Sequence, residues 1–592
     1  MTSLARLLFP GAALAVFVAA CRPAAASGGI APVPVGPPYD VVIEGGRIVD
    51  GTGNAWFYGD VAITRDRIAR IAPAGALRSA TARQRVDAHG LVVAPGFIDI
   101  QAHSRDALLT GDGRVVGKAT QGVTTEIMGE GWTNAPVNDR VLQAATTDDP
   151  SDTAYSASFR GEHGFDSWLR AMEHHGMSVN AGSFLGAATV RIYAKGMAAG
   201  APTPAELDTM RAVTRRAMAD GSFGVASALI YPPGNFATTD ELVEMAKAMS
   251  PYGGVYITHM RSEADQFLEA IDEAIRIGRE GGVPVEIYHL KAAGRRNWPK
   301  AAAAIAKIDS VRAAGLDLQA DMYPYVAGGT GLAACIPPWA SADGKLLENL
   351  RDSSTRARIT AELLSERTDW ENLCSLATPA GVLLAEMKKP ENSRWVGKRL
   401  ADVAGEQHKP WPDAAIDLLL SEQRDIGTIF FLMSEENVAL QLRQPWIKIG
   451  TDAGGYDPDS VRARGPVHPR SYGTYPRILG RYVREQRVIS LEDAVRKMSG
   501  AVATRLSIRD RGVLAQGFYA DVVVFDPATI IDRATFEQPH QLSTGVQYVF
   551  VNGVAVVSNG RHTGAKPGRL VRGPGYCVAR CTRTEDGHRT ER

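Results

Sequence analysis

The polar–apolar pattern of this chain changes period along its length. From Tyr39, "YDVVIEGGRIVDGTG" and "GDVAITRDRIARIAP" alternate apolar and polar residues between glycine turns, the pattern of short antiparallel strands. Near the other end, after "GVLAQGFYADV", the stretches "ADVVVFDPATI" and "VQYVFVNGVAVVSNG" repeat it. These pieces predict one small β-sandwich domain built from both ends of the chain, residues 39–93 with 508–570, enclosing everything between.

The middle has another pattern. Apolar runs, each ending in polar or charged residues, recur as "LVVAPGFIDIQAH", "GVTTEIMGE", "VNAGSFLGA", "GSFGVASALI", "GGVYITH", "VPVEIYH", "LDLQADMY" and "WIKIGTD". Helical patterns such as "TDELVEMAKAMSPYG", "ADQFLEAIDEAIRIGREGG" and "KAAAAIAKIDSVRAAG" separate several of them. Strand–helix alternation of this kind predicts an α/β fold, a (β/α)8 TIM-like barrel spanning residues 94–507. "GTIFFLM" is a further strand candidate. The mixed segment 337–432 is too long for a plain loop and reads as an inserted lid.

Barrel chemistry gathers where strands end. The residues ending these runs are Gln101 and His103, Glu130, His259, His289, Asp321 and Asp452, which include three of the chain's 12 histidines. Together they make an N/O cage for a divalent metal; scattered polar caps are the plainer alternative. Zinc held by imidazole and carboxylate lowers the pKa of bound water to about 7, and a nearby carboxylate can pass the proton to a leaving nitrogen. Asp452, ahead of a glycine pair, suits that role; its other reading is a turn residue.

Composition narrows the function classes. The 592 residues are 45% hydrophobic and 22% charged, with 65 basic residues against 65 acidic, so no overall field recruits nucleic acid. The first 21 residues have the form of a secretory signal. They end in Val18-Ala19-Ala20-Cys21, a lipobox that would lipidate Cys21; cleavage at a simple A-x-A site or at "PAAAS" is the alternative. Residues 22–38 read as a flexible tether and 571–592 as a polar tail. The expected location is the periplasmic side of a bacterial membrane, anchored only through that lipid, or else soluble export. Of the other cysteines, Cys335, Cys374, Cys577 and Cys581, the last two form a C-x3-C that export would allow to bridge.

Long stretches carry a family resemblance. "VVAPGFID", "GVTT", "LIYPPGNFATTDELVEMAKAMSPYGGVYITHMRSE", "HLKAAG", "DMYPY", "MSEENV", "GTDAGG", "VHPRSYGTYPRILGRYVREQRVISLEDAVRKMSG" and "RGVLAQGFYADVVVFDPATI" resemble the N-acyl-D-amino-acid deacylase (D-aminoacylase) branch of the metal-dependent amidohydrolases. The resemblance implies a barrel with a small β domain, hydrolysing an amide with zinc. It implies His259 and His289 as metal ligands, Asp452 as catalytic acid/base, and Lys291, Arg470, Tyr231 and Tyr325 as substrate-binding residues, the two tyrosines being equally readable as packing aromatics. The sequence departs from the family at three places. Gln101-Ala102-His103 stands for histidine–x–histidine, Gly129-Glu130-Gly131-Trp132 for Gly-Asn-Cys-Gly, and Gly186-Ala187 for Gly-His. The expectation is that Glu130 replaces the cysteine and holds one firmly bound zinc with His259 and His289. His103 and Gln101 then lie near a second metal position whose occupancy stays open. The substrate expected is an N-acyl amino acid or dipeptide, D in configuration. A dipeptidase, a cyclic-amide hydrolase or a catalytically silent ligand-binding lipoprotein are the alternatives.

Overall fold

A computed structural model describes residues 38–144, 150–366, 369–461 and 465–576. Residues 1–37, with the expected signal, Cys21 and nearly all of the expected tether, lie outside the described residues, as do Cys577 and Cys581.

Both chain ends meet in one nine-stranded sheet. Its order runs Arg561–His562, Val554–Ser558, Val546–Val551, Val522–Phe525, Val92–Pro95, Tyr39–Ile48, Phe57–Thr64, Arg67–Pro73, with Ala82–Asp87 also paired to Tyr39–Ile48. The join is the antiparallel pairing of Val522–Phe525 with Val92–Pro95, which sets Val523 opposite Ala94. Period-2 alternation assigns the two faces here. Val93, Val522 and Val524 pack with Val41, Ile43 and Val61 inside this domain, whereas Val92, Ala94 and Val523 turn into the core shared with the barrel.

The barrel strands are all parallel. A three-stranded piece holds Phe97–Asp99, Val123–Met128 and Asn180–Ser183. A six-stranded piece holds Leu185–Gly186, Gly224–Ala228, Val255–His259, Val285–Ile287, Leu318–Met322 and Ile447–Ile449. Asn180–Ser183 and Leu185–Gly186 are two parts of the third strand, so every apolar run of the middle region supplies one barrel strand. The ring closes through a parallel bridge between Ala102 and Ala453, which sets the end of the first strand beside the end of the eighth. Helix Phe267–Gly281 shows how the outer layer is specified. Phe267, Ala270, Ile271, Ala274, Ile275 and Gly278 recur at helical spacing and are buried, and Gly282 closes the helix in the left-handed region (φ 65°).

"GTIFFLM" forms a strand outside the barrel. Gly427–Phe431 lies between Ala327–Gly331 and Val382–Glu386 in an antiparallel sheet. With the helices around it, this sheet encloses a separate core that includes Leu332, Ile336, Leu350, Ile359, Val403, Ile416, Leu419 and Phe430. A disulfide joins Cys335 to Cys374 within this insert. The sheet begins at Ala327, ahead of the boundary drawn from sequence, because "AGGTG" shows no apolar alternation. The start of the predicted tail also packs: Val571 is buried and bonds the carbonyl of Ala181, and Gly573 bonds that of Gly221.

Candidate metal centre

The strand ends converge on Glu130. Gly129 (φ 110°) turns the chain after the second strand, where a Cβ would lie 2.3 Å from the carbonyl oxygen of Phe184. Only glycine tolerates both conditions, and the turn aims Glu130 across the barrel mouth. Its Oε1 lies 3.2 Å from His259 Nδ1 and 3.3 Å from His289 Nε2. Its Oε2 accepts a hydrogen bond from Gln101 Nε2 and lies 3.4 Å from His103 Nε2. His103 Nε2 is also 2.9 Å from Asp452 Oδ1, and Arg470 Nη1 is 2.7 Å from Asp452 Oδ2.

Backbone geometry re-aims two of these residues. His289 (φ 31°) and Asp452 (φ 51°) sit at positive φ, uncommon for residues other than glycine and frequent where function requires it. Each is held there by a hydrogen bond from its own N–H. That of His289 donates to Asp321 Oδ1 at 2.8 Å, and that of Asp452 to the carbonyl of Gln101 at 2.8 Å. Asp321 is therefore no member of the donor cluster: burial and the charge of Glu286 push its carboxyl well up, and it serves as a backbone anchor.

The electrostatics favour an ionised centre. Burial pushes Glu130 up, but hydrogen bonds from His103, His259 and His289 hold it well below the usual carboxylate range. Asp452 is also buried, and the Arg470 charge brings it below its ordinary value. His103, with its side chain 36% exposed, loses some basicity to desolvation, but its bonds to Asp452 and Glu130 prevail and bring it up to about 9.

Residues beyond the strand ends complete the site. Glu263, four positions after His259, places Oε1 2.9 Å from His289 Nδ1 and accepts two 2.7 Å bonds from Lys291 Nζ. Lys291 is thus engaged by Glu263 and is only 7% exposed. The ring of Tyr323 lies beneath the Arg470 guanidinium at 4.6 Å, and His468 Nδ1 accepts the backbone N–H of Arg470 at 3.0 Å. Tyr231 packs edge-on against His259, ring centres 5.3 Å apart, and bonds Thr330 of the insert. The hydroxyl of Tyr325 donates to Asp532 at 3.2 Å, so the structure does not bring it to the cluster. Glu263, Tyr323 and His468 lie inside the quoted "HMRSE", "DMYPY" and "VHPR" motifs, but strand-end logic does not select them.

Glu130, His259 and His289 suit one tetrahedral metal ion. Bonds of about 2.0–2.1 Å hold neighbouring ligand atoms about 3.3–3.4 Å apart, and the separations here are 3.2 and 3.3 Å. With Nε2 of His289 turned to Glu130, its Nδ1 lies 2.9 Å from Glu263 Oε1 and 2.7 Å from Lys291 Nζ; a metal on Nε2 would put the ring proton on Nδ1, with Glu263 as its acceptor. His103, Glu130 and Asp452 form a second group of neighbouring donor atoms.

Comparison with known proteins places the chain in a family. Residues 403–557 match the model of an amidohydrolase family. The D-aminoacylase of Alcaligenes xylosoxydans xylosoxydans is 35% identical over 535 residues, covering 90% of this chain and 98% of that protein. The chain belongs to the D-aminoacylase family. A solved D-aminoacylase, studied for its binuclear metal centre with one-metal activation and second-metal attenuation, superposes with a TM-score of 0.75 at 32% identity, covering 90% of this chain and all of that one. The N-acyl-D-glutamate deacylase of Bordetella bronchiseptica, complexed with zinc and a phosphonate mimic of the tetrahedral intermediate, gives 0.73 at 29% identity over 90% of this chain. Family membership thus agrees with a barrel carrying a β domain.

Proposed function

We propose that this chain is a zinc-dependent deacylase of N-acyl-D-amino acids that uses one metal ion. The reading rests chiefly on one observation: Glu130 Oε1 faces His259 Nδ1 and His289 Nε2 at 3.2 and 3.3 Å, with Asp452 linked to the same carboxylate through His103. Zinc held there would supply a Lewis acid able to polarise an amide carbonyl and acidify water. Asp452, ionised and at the rim of the cluster, accepts the water's proton and returns it to the departing amine nitrogen. Arg470 has a buried Nε without a hydrogen-bond partner, leaving donor capacity for the free carboxylate of an amino-acid product or substrate. Lys291, bound to Glu263, adds positive charge behind that position rather than a free clamp. Tyr323, under Arg470, orients the guanidinium.

Catalytic silence finds no support in this arrangement, because drift would not preserve a donor set with its proton acceptor alongside. Export is part of the proposal. A buried disulfide between Cys335 and Cys374 is at home in an oxidising compartment, in keeping with the signal-like first residues. Recovery of the mature chain with a lipid-modified Cys21 in the membrane fraction would establish the anchor; a soluble chain starting after "PAAAS" would refute it.

The deciding variant is Asp452→Asn. Zinc content should stay at the parent level while turnover of N-acetyl-D-amino acids falls by about 10²–10⁴-fold. Unchanged turnover would remove Asp452 from the proton transfer.

A further inference from the structure

The two oxygens of Glu130 face different partners. Oε1 looks toward His259 and His289, whereas Oε2 looks toward Gln101 and His103. Two cations in one centre sit about 3.5–4 Å apart and need a ligand with lone pairs directed at both. In this chain Oε2 is the oxygen that a second ion would use, and Gln101 Nε2 already donates to it.

The Gln101 backbone is anchored at the barrel mouth, and its side-chain Oε1 is buried without a hydrogen-bond partner. The residue is 1% exposed, its N–H donates to Asp99 Oδ1 at 3.2 Å, and its carbonyl accepts the N–H of Asp452 at 2.8 Å. The opposite amide orientation would press Oε1 against a carboxylate oxygen, two acceptors with no proton between them, so the network fixes which end faces Glu130. That end is the positive one, aimed where a cation would sit. The remaining donors of the second group, His103 Nε2 and Asp452 Oδ1, are engaged with each other at 2.9 Å. Entry of a second ion would break both hydrogen bonds, and the amide oxygen it could gain by turning Gln101 over is a poor zinc ligand beside an imidazole.

We propose that Gln101 closes the second metal position, its amide N–H occupying the outer oxygen of Glu130 so that the centre takes one ion and is indifferent to excess zinc. The inference rests on the single-zinc reading of Glu130, His259 and His289 given above.

The test is a zinc titration of metal-free protein against a chromophoric chelator, with bound zinc counted by elemental analysis. The parent should take one equivalent, any second binding being weaker by about 100-fold or more. Gln101→His should bind a second equivalent, and excess zinc should change its turnover of N-acetyl-D-amino acids but not the parent's. Should Gln101→His fail to fold by circular dichroism, Gln101→Ala removes the donor without adding a ligand and should tighten the second binding by about tenfold. Two equivalents of similar affinity on the parent would overturn the inference, as would a folded Gln101→His that still binds one. Two equivalents with normal D-specific turnover defeat this inference alone; no zinc and no turnover defeat the zinc reading with it.

Discussion

Glu263 offers the sharpest test of how the site is built, because it contacts His289, a proposed metal ligand, and a buried lysine at once. In Glu263→Gln the side chain keeps its shape and one carbonyl acceptor but loses its charge. His289 Nδ1, now 2.9 Å from Glu263 Oε1, would lose the anionic acceptor that fixes its proton and makes Nε2 a better ligand. Loss of such a partner costs about 10–100-fold in metal affinity, or about 1.4–2.7 kcal/mol. Lys291, whose Nζ makes two 2.7 Å bonds to the Glu263 carboxylate and lies 2.7 Å from His289 Nδ1, would be left buried without its counter-charge. An unpaired buried charge costs about 3–5 kcal/mol. Shedding the proton limits that cost to about 4.6 kcal/mol at pH 7, from an unfolded lysine pKa of about 10.4. The sign follows from linkage. Once rising pH makes the folded chain shed that proton, the unfolded chain binds one the folded chain lacks, so stability rises with pH from there until about pH 10.4. The assays are chelator competition for zinc and thermal melts at pH 7 and 9. Zinc affinity within twofold of the parent, with an unchanged melt, would refute this account of Glu263.

Three further outcomes follow. Arg470→Lys keeps the charge but loses the planar fork above Tyr323, so KM for N-acetyl-D-amino acids should rise by about 10–100-fold with zinc content unchanged; an unchanged KM would remove Arg470 from carboxylate recognition. Glu371, in the insert, accepts the N–H of Glu263, and burial together with the Glu263 charge pushes its carboxyl up to about 8. The folded chain therefore keeps a proton that the unfolded chain has released, and this contribution to stability, complete below about pH 4.3, declines as pH rises to about 8. Glu371→Gln should flatten that slope in melts from pH 5 to 8, and equal slopes would contradict the assignment. Reducing the Cys335–Cys374 bond, which spans 39 residues, should destabilise the insert by about 4 kcal/mol on loop-closure entropy, read as a lower melting temperature in reductant; an unchanged melt would count against it.

The sequence made some parts legible and left others hidden, for physical reasons. Apolar runs between helical patterns disclose barrel strands because burial on both faces demands them, and each of the eight runs contains one. A strand end is also where side chains can meet over the barrel, so the meeting of His259, His289 and Glu130 is legible in the sequence. Gly129 hints at the turn that aims Glu130, but the close approach to Phe184 is a tertiary fact. Glu263 acts from a loop, and no period along the chain records that its carboxylate reaches His289 and Lys291. Tyr323 and Tyr325 look equivalent in "DMYPY"; only the fold shows one under Arg470 and the other bound to Asp532. The strand Ala327–Gly331 escaped because glycine carries no alternation. The Cys335–Cys374 pairing depends on how the insert folds, and spacing alone does not single it out over the C-x3-C of the tail.

One zinc ion on Glu130, His259 and His289 is proposed to make this chain a deacylase of N-acyl-D-amino acids. The most direct measurement is stepwise reconstitution of the metal-free protein, with hydrolysis of N-acetyl-D- and N-acetyl-L-amino acids followed at each addition of zinc. No turnover is expected without metal, then D-selective turnover that rises linearly and stops at one equivalent per chain. Turnover that survives complete metal removal, or that appears only on adding a second equivalent, would contradict that proposal.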